Sequence, residues 1–240
     1  MTRILLTGGS GFIAAHVLDT LLERGHSVVT TVRSREKGQR ILDAHPQADW
    51  NPIKEDEVDQ SPIFGYRGSK TFAEKAAWDF IENEKPGFTL ATCNPPLVLG
   101  PVVHYLASLD AINTSNERIS DLITGKGKNS CPPTGTSLWV DVRDVAMAHV
   151  LAAEKSEAAN KRFFLVAGTY CNADIVEIIS EKFPELRDKL PSGDALAPGI
   201  VPLEQRFGFD TSRSKDVLGL TYRLLTESVV DAVKSLQGHL

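Results

Sequence analysis

Tyr66 and Lys70, in the run Gly65-Tyr66-Arg67-Gly68-Ser69-Lys70, are the residues whose types and spacing most directly suggest chemistry. Four residues apart, they share one face of a helix, one turn from each other. A phenol, with an ordinary pKa of about 10, is a poor acid–base catalyst at neutral pH on its own. An ammonium a few Å away favours the phenolate. The pair could therefore exchange a proton with a substrate oxygen, and the lysine could also hold a cofactor ribose hydroxyl. The same spacing arises by chance on ordinary helix faces, so its meaning depends on the rest of the chain.

A second constellation is Thr7-Gly8-Gly9-Ser10-Gly11-Phe12-Ile13-Ala14. Gly8 allows a tight turn, Gly11 lets backbone approach a pyrophosphate, and Ala14 is small enough to stand where a third glycine packs helix on strand. A helix beginning here offers N–H groups and a positive dipole end to phosphates. The third constellation lies just past the second strand, where an acidic residue would select NAD through the adenosine ribose. Arg33 stands there instead, followed by Ser34, Arg35 and Lys37, and the first carboxylate is Glu36. A guanidinium suits a 2′-phosphate, so these residues point to NADP. A basic, solvated helix start is the plainer alternative.

The elements that must position these groups alternate between strand and helix. Ile4-Leu5-Leu6 reads as a strand buried on both faces. Ala15 to Arg24 reads as a helix with Val17, Leu18, Leu21 and Leu22 inward, closed by Gly25. Ser27 to Val32 is β-branched and strand-like, and a helix is expected over 34–44. The Tyr66 helix is expected from Ser69 to Glu84, stopped by Pro86-Gly87. Phe88 to Cys93 reads as a strand running into a rigid loop, Asn94 to Pro101, at the strand edge where α/β sheets bind ligands. Further on, helices are expected over 115–123, 141–154 (opened by Asp141 and Asp144), 172–183 (capped by Asn172) and 226–236 (capped by Thr226). Short strands are expected at 137–140, with Trp139 inward, and at 163–166. Pro191 to Pro202 reads as a loop.

Composition sets the bounds. A chain of 240 residues with 42% hydrophobic and 24% charged residues suits one compact domain, or a domain with a small lobe. The net charge of −5 argues against nucleic acid as a partner. No apolar run is long enough to cross a bilayer, and the N-terminus reads as a first strand rather than a signal peptide. Cys93, Cys131 and Cys171 are widely spaced and lack metal-ligand spacing, so free thiols in a reducing cytoplasm and no metal are expected.

These motifs converge. The chain resembles an extended short-chain dehydrogenase/reductase, and more narrowly the fungal ketoreductases and methylglyoxal reductases related to dihydroflavonol reductase and cinnamoyl-CoA reductase. The residues that carry the resemblance are Thr7 to Ala14, Thr31-Val32-Arg33, Tyr66 with Lys70, Asn94-Pro95-Pro96 with Gly100-Pro101, and Trp139 to Ala146. It implies a doubly wound, parallel Rossmann-type α/β sheet with a small C-terminal substrate lobe. It also implies NADPH-dependent reduction of a small-molecule aldehyde or ketone to an alcohol, by a monomer or homodimer. By that resemblance Tyr66 is the proton donor, and Lys70 tunes it and binds the ribose. Gly8, Gly11, Phe12 and Ile13 line the pyrophosphate, and Arg33 and Lys37 the 2′-phosphate. Pro95 and Val98 lie near the nicotinamide, with Ser115 a further contact, and the loop around Val102 to Leu109 reads substrate shape.

The chain departs from that pattern between Pro46 and Asp49. The family carries three more strands there, about 90 residues at roughly 30 per β-α-β unit. The block includes the strand end that supplies a catalytic serine; Ser69 and Ser10 stand elsewhere and do not replace it. A family sheet ordered 3-2-1-4-5-6-7 would be left as two pieces, 2-1 and 6-7. A truncated Rossmann part is thus expected over 1–100, with the remaining strands interleaved with the substrate lobe over 101–240. Two alternatives follow: a non-catalytic remnant with partial nucleotide binding, and an NAD-dependent epimerase or dehydratase sharing the Tyr/Lys chemistry.

Overall fold

The computed structural model describes residues 2–7, 11–31, 62–103, 106 and 108–239. The helix expected over 34–44 lies outside them. The chain forms two compact units, one of residues 1–33, 93–158 and 163–240, the other of residues 34–92 and 159–162.

The larger unit begins with a β-α-β arrangement: β1 (Arg3–Thr7), α1 (Phe12–Glu23) and β2 (Ser27–Thr31). β1 and β2 pair in parallel, Ile4 opposite Val28 and Leu6 opposite Thr30. α1 ends where expected, with Gly25 left-handed at φ 79°, a conformation that favours glycine. Its inner face, Val17 and Leu21, packs with Ile4 and Leu6 of β1 and with Ala146 and Val150 of α4 (Val142–Glu154). β1 differs from expectation. It alternates, with Ile4 and Leu6 half-buried and Leu5 64% exposed. One face has helices over it; among the described residues nothing covers Leu5.

A second difference lies in the stretch expected to be a loop. β3 (Ala91–Asn94) is followed at once by β4 (Leu97–Leu99). Pro95 and Pro96 mask the strand in the sequence, but they precede it, where a missing N–H removes no ladder bond. β4 runs parallel to β5 (Leu138–Asp141), with Val98 opposite Val140, and β5 runs antiparallel to β7 (Gly168–Thr169). β3 pairs with β6 (Lys161–Phe164). Among the described residues no ladder joins β1 to β3.

The main core gathers β4, β5 and three helices: α3 (Thr114–Thr124), α5 (Asn172–Lys182) and α6 (Leu225–Leu236). Leu99, Ile119, Trp139, Ile175, Ile179 and Val233 are buried in it, each apolar side chain contributing roughly 1.5–3 kcal/mol by leaving water. Asp141 caps α4 as expected, its carboxylate accepting from the Arg143 backbone N–H. Two expected caps shift. Cys171, not Asn172, holds the N-cap of α5, and Asp174 closes a capping box by accepting from the Cys171 N–H at 2.8 Å. α6 starts one residue before Thr226, with Leu224 at the N-cap and no side-chain cap.

In the smaller unit α2 runs from Pro62 to Glu84. It starts earlier than Ser69 because Pro62 is tolerated in a first turn, whereas Gly65 and Gly68 lower the apparent propensity without breaking the helix. Glu74 anchors it, accepting from Trp78 Nε1, from Thr92 Oγ1 at 2.9 Å and from Arg162 Nε at 2.6 Å.

Candidate active site

α2 carries both residues expected to move a proton. Tyr66 is 65% exposed, and the Lys70 ammonium lies over its ring, 5.5 Å from the centroid. The helical spacing of four produces this contact, because i and i+4 side chains stack along one face. The cation faces the electron-rich ring, an arrangement worth about 0.5–1 kcal/mol at exposed sites. Ser69 is committed elsewhere: its hydroxyl donates to the Tyr66 carbonyl oxygen at 2.8 Å.

The larger unit holds those of the described residues that are expected on the nucleotide side. Gly11 is the N-cap of α1, extended at φ −83° and ψ 157°. Its N-cap residue offers no side-chain cap and its first turn holds no acidic residue. Among the described residues the positive dipole end is therefore neither filled nor opposed by a carboxylate, which fits a pyrophosphate over Gly11, Phe12 and Ile13. Gly8, Arg33 and Lys37 lie outside the described residues, as does part of the loop from Val102 to Leu109.

Pro95 stands just before β4 and Val98 within it, buried. The turn that follows is held from three helices. The Gly100 carbonyl accepts from Asn116 Nδ2 at 2.9 Å, Pro101 O lies 2.9 Å from His16 Nε2, and the Val102 N–H donates to Ser235 Oγ at 3.0 Å. Gly100 has φ 134°, and a Cβ there would sit 2.8 Å from Val142 Cγ1. Only glycine fits that backbone and that space. Ser115 lies in the first turn of α3, and its carbonyl accepts from Arg118 Nε at 3.0 Å.

His16 connects two parts of this unit. It is buried, its ring meets Phe12 edge-on (centroids 5.9 Å apart, planes at 88°), and it bonds Pro101. Burial holds its pKa below the ordinary histidine value, against the opposing hydrogen bond to Pro101 and the charges of Asp141 and Asp19. Sequence reasoning missed His16, Asn116 and Ser235; for His16 the available signal was a polar residue on the apolar face beside Val17.

The motif Trp139 to Ala146 is a buried ionic junction. Asp141 is fully buried; Oδ1 accepts from the Arg143 N–H at 2.8 Å and from Nε at 2.9 Å, and Oδ2 from Arg143 Nη2 at 2.8 Å and from Ser228 Oγ of α6. Burial pushes this carboxyl up, but the hydrogen bonds from Arg143 and Ser228 outweigh it and hold the group below the ordinary aspartate range. Asp144 accepts from the Arg223 backbone N–H at 2.8 Å and from its guanidinium. Burial wins there, and its pKa is raised.

Comparisons with known proteins agree with this architecture. Residues 4–51 match the model of the NAD dependent epimerase/dehydratase family. Ketoreductase azaE of Aspergillus niger is 35% identical over 331 residues, covering 98% of this chain and 97% of that protein. The NADPH-dependent methylglyoxal reductase GRE2 of Saccharomyces cerevisiae is 32% identical over 190 residues, covering 78% of this chain and 55% of that protein, so the chain spans about half the length of this relative. The crystal structure of Gre2 from Candida albicans in complex with NADPH superposes with a TM-score of 0.83 at 26% identity, covering 100% of this chain and 99% of that one. The chain has a Rossmann-type α/β fold and belongs to the NAD dependent epimerase/dehydratase family, on the branch of the fungal ketoreductases and methylglyoxal reductases.

Proposed function

We propose that this chain is an NADP-dependent carbonyl reductase by architecture, converting a small aldehyde or ketone to an alcohol. The observation that carries the reading is the Lys70 ammonium stacked over the Tyr66 ring on one face of α2. Support comes from relatives named as ketoreductase and NADPH-dependent methylglyoxal reductases. Bound NADPH would supply the hydride. The uncapped start of α1 at Gly11, Phe12 and Ile13 would hold the pyrophosphate, with Gly8 in the same turn. Arg33 and Lys37 would take the 2′-phosphate. Pro95, Val98 and Ser115 would line the nicotinamide side, next to the Gly100–Val102 turn that His16, Asn116 and Ser235 hold. Tyr66 would deliver the proton to the substrate oxygen, and Lys70 would stabilise the phenolate left behind and hold the ribose. The division near residue 100, a cytoplasmic setting and a monomer or homodimer belong to the same reading.

Two observations favour a second reading, a nucleotide-binding form with little turnover. The hydroxyl nearest to Tyr66 in sequence, that of Ser69, is bonded to backbone. The alignment to azaE runs over 331 residues for a chain of 240, which supports an internal block being absent here. A missing donor of this kind typically lowers rate by about 10²–10³. The test is NADPH titration by fluorescence, followed by NADPH oxidation against a panel of ketones and aldehydes. Turnover abolished by Tyr66→Phe supports the reductase. Tight binding with no turnover supports the second reading, and no NADPH binding at all defeats both.

A further inference from the structure

Among the described residues Arg118 is a cation with no carboxylate in contact. Five described arginines are half-buried: Arg118, Arg143, Arg162, Arg206 and Arg223. Four of them face carboxylates: Arg143 with Asp141 and Asp231 (2.8 and 2.7 Å), Arg162 with Glu74 (2.6 Å), Arg206 with Asp174 (3.0 Å) and Arg223 with Asp144. Arg118 instead touches three neutral acceptors: the Ser115 carbonyl at 3.0 Å, the Tyr170 phenol oxygen at 2.8 Å and Asn172 Oδ1 at 3.4 Å. Burial pushes the Tyr170 phenol up to about 12, against the nearby charge of Arg118. Tyr170 therefore stays neutral at any working pH and supplies no countercharge.

A half-buried guanidinium has lost part of its water, and neutral oxygens return less than a carboxylate would. The three acceptors also orient it. The Ser115 carbonyl fixes Nε, while Tyr170 and Asn172, both buried, share Nη1. Those contacts use the Nε hydrogen and both hydrogens of Nη1, which leaves the two Nη2 donors for an anion such as a carboxylate oxygen. Its place matters too, because Arg118 is bonded to the carbonyl of Ser115, the residue assigned above to the nicotinamide side.

We propose that Arg118, steadied by Tyr170 and Asn172, is an anion subsite that receives the carboxylate of an oxo-acid substrate. The inference rests on the carbonyl-reductase reading for the word substrate, but the subsite is testable without turnover. The probes are levulinate, a ketone bearing a carboxylate, and its uncharged methyl ester. Their binding to the full chain is measured by saturation-transfer NMR in the presence of NADP, for the wild type, Arg118→Gln and Arg118→Lys. A charge-assisted hydrogen-bonded pair is worth roughly tenfold to a hundredfold in affinity. The wild type is therefore expected to favour the acid over the ester by about that factor. The ratio should collapse toward unity in Arg118→Gln and recover in part in Arg118→Lys, and added KCl should weaken only the acid. Equal binding of acid and ester by the wild type, or an unchanged ratio in Arg118→Gln, overturns the subsite. Should the glutamine variant fail to fold, the lysine variant and the salt dependence carry the same decision. A preserved acid preference with no NADPH oxidation supports the subsite while counting against the reductase reading.

Discussion

Replacing Asp141 with alanine should be among the most damaging single changes available in this chain. Three contributions disappear together. The N-cap of α4 is worth about 1 kcal/mol. Ser228 Oγ, fully buried, loses its acceptor, at about 1–3 kcal/mol. Arg143, which gives Asp141 three hydrogen bonds, keeps only Asp231 and the more distant Glu227, 3.6 Å away, as charged partners. Breaking a buried ion pair from one side typically costs about 3–5 kcal/mol in all. At about 2–4 °C per kcal/mol for a protein of this size, the melting temperature should fall by about 6–20 °C at pH 7, read by circular dichroism and checked by urea titration. Asp141→Asn should fall between alanine and wild type, because it keeps the shape of the cap but not the charge. The pH dependence has a definite sign. The folded-state pKa of Asp141 is lowered, so its contribution is complete above the ordinary aspartate pKa of about 3.9 and is lost as pH falls below it. The gap between wild type and Asp141→Ala should therefore not narrow from pH 7 to about 5, widening slightly there because His16 loses the opposing charge of Asp141, and should narrow only in stronger acid. A drop under about 3 °C, or a gap that closes between pH 7 and 5, would refute the assignment of this carboxylate as the junction of α4 and α6.

Three further outcomes are expected. Gly100→Ala should destabilise by roughly 1–3 kcal/mol and weaken NADPH binding, since the new Cβ meets Val142 at 2.8 Å on a left-handed backbone; calorimetry and fluorescence titration read both. Asp79→Leu should raise the melting temperature, because both carboxylate oxygens of Asp79 are buried without a hydrogen-bond partner, and removing such a group typically recovers about 1–3 kcal/mol; a lower melting temperature would contradict this. His16, whose folded pKa burial lowers despite Asp141 and Asp19, and with Arg143 acting in the same direction as burial, should cost stability as pH falls through about 6.5. A His16→Gln variant should show a flatter melting-temperature profile between pH 7 and 5.

Much of this was legible in the sequence, for reasons that differ between elements. The β-α-β start could be read because strand composition, helical apolar period and a closing glycine agree from Ile4 to Gly25; β1, α1 and the left-handed Gly25 form as expected, although Leu22 of the expected inner face is 54% exposed. The Tyr66–Lys70 contact could be read because helical spacing is geometry that needs no tertiary partner. β4 was hidden because Pro95 and Pro96 carry a loop signature that ignores which side of a strand a proline occupies. The caps of α5 and α6 slipped by one and two residues although Asn172 and Thr226 are good capping types; for Asn172 tertiary contacts overrode that preference, its side chain turning to Arg118 and the Pro132 carbonyl instead. The exposure of Leu5 could not be read locally at all, since three apolar residues in a row look alike whether or not something lies across both faces. The supports of the Gly100–Val102 turn were equally silent, because His16, Asn116 and Ser235 meet only when three distant helices converge.

Leu5 has a consequence for anyone handling the purified material. The outward side of β1 sets Leu5 between Arg3 and Thr7, and among the described residues only one edge of this strand is paired, so an intermolecular strand contact has a place to start, and such pairing grows with the square of concentration. Dilute and concentrated preparations would then differ in particle size, light scattering and shelf life even if each molecule were chemically identical. A charged replacement at Leu5 would be the first lever for colloidal behaviour, and it lies outside the groups assigned to nucleotide or carbonyl.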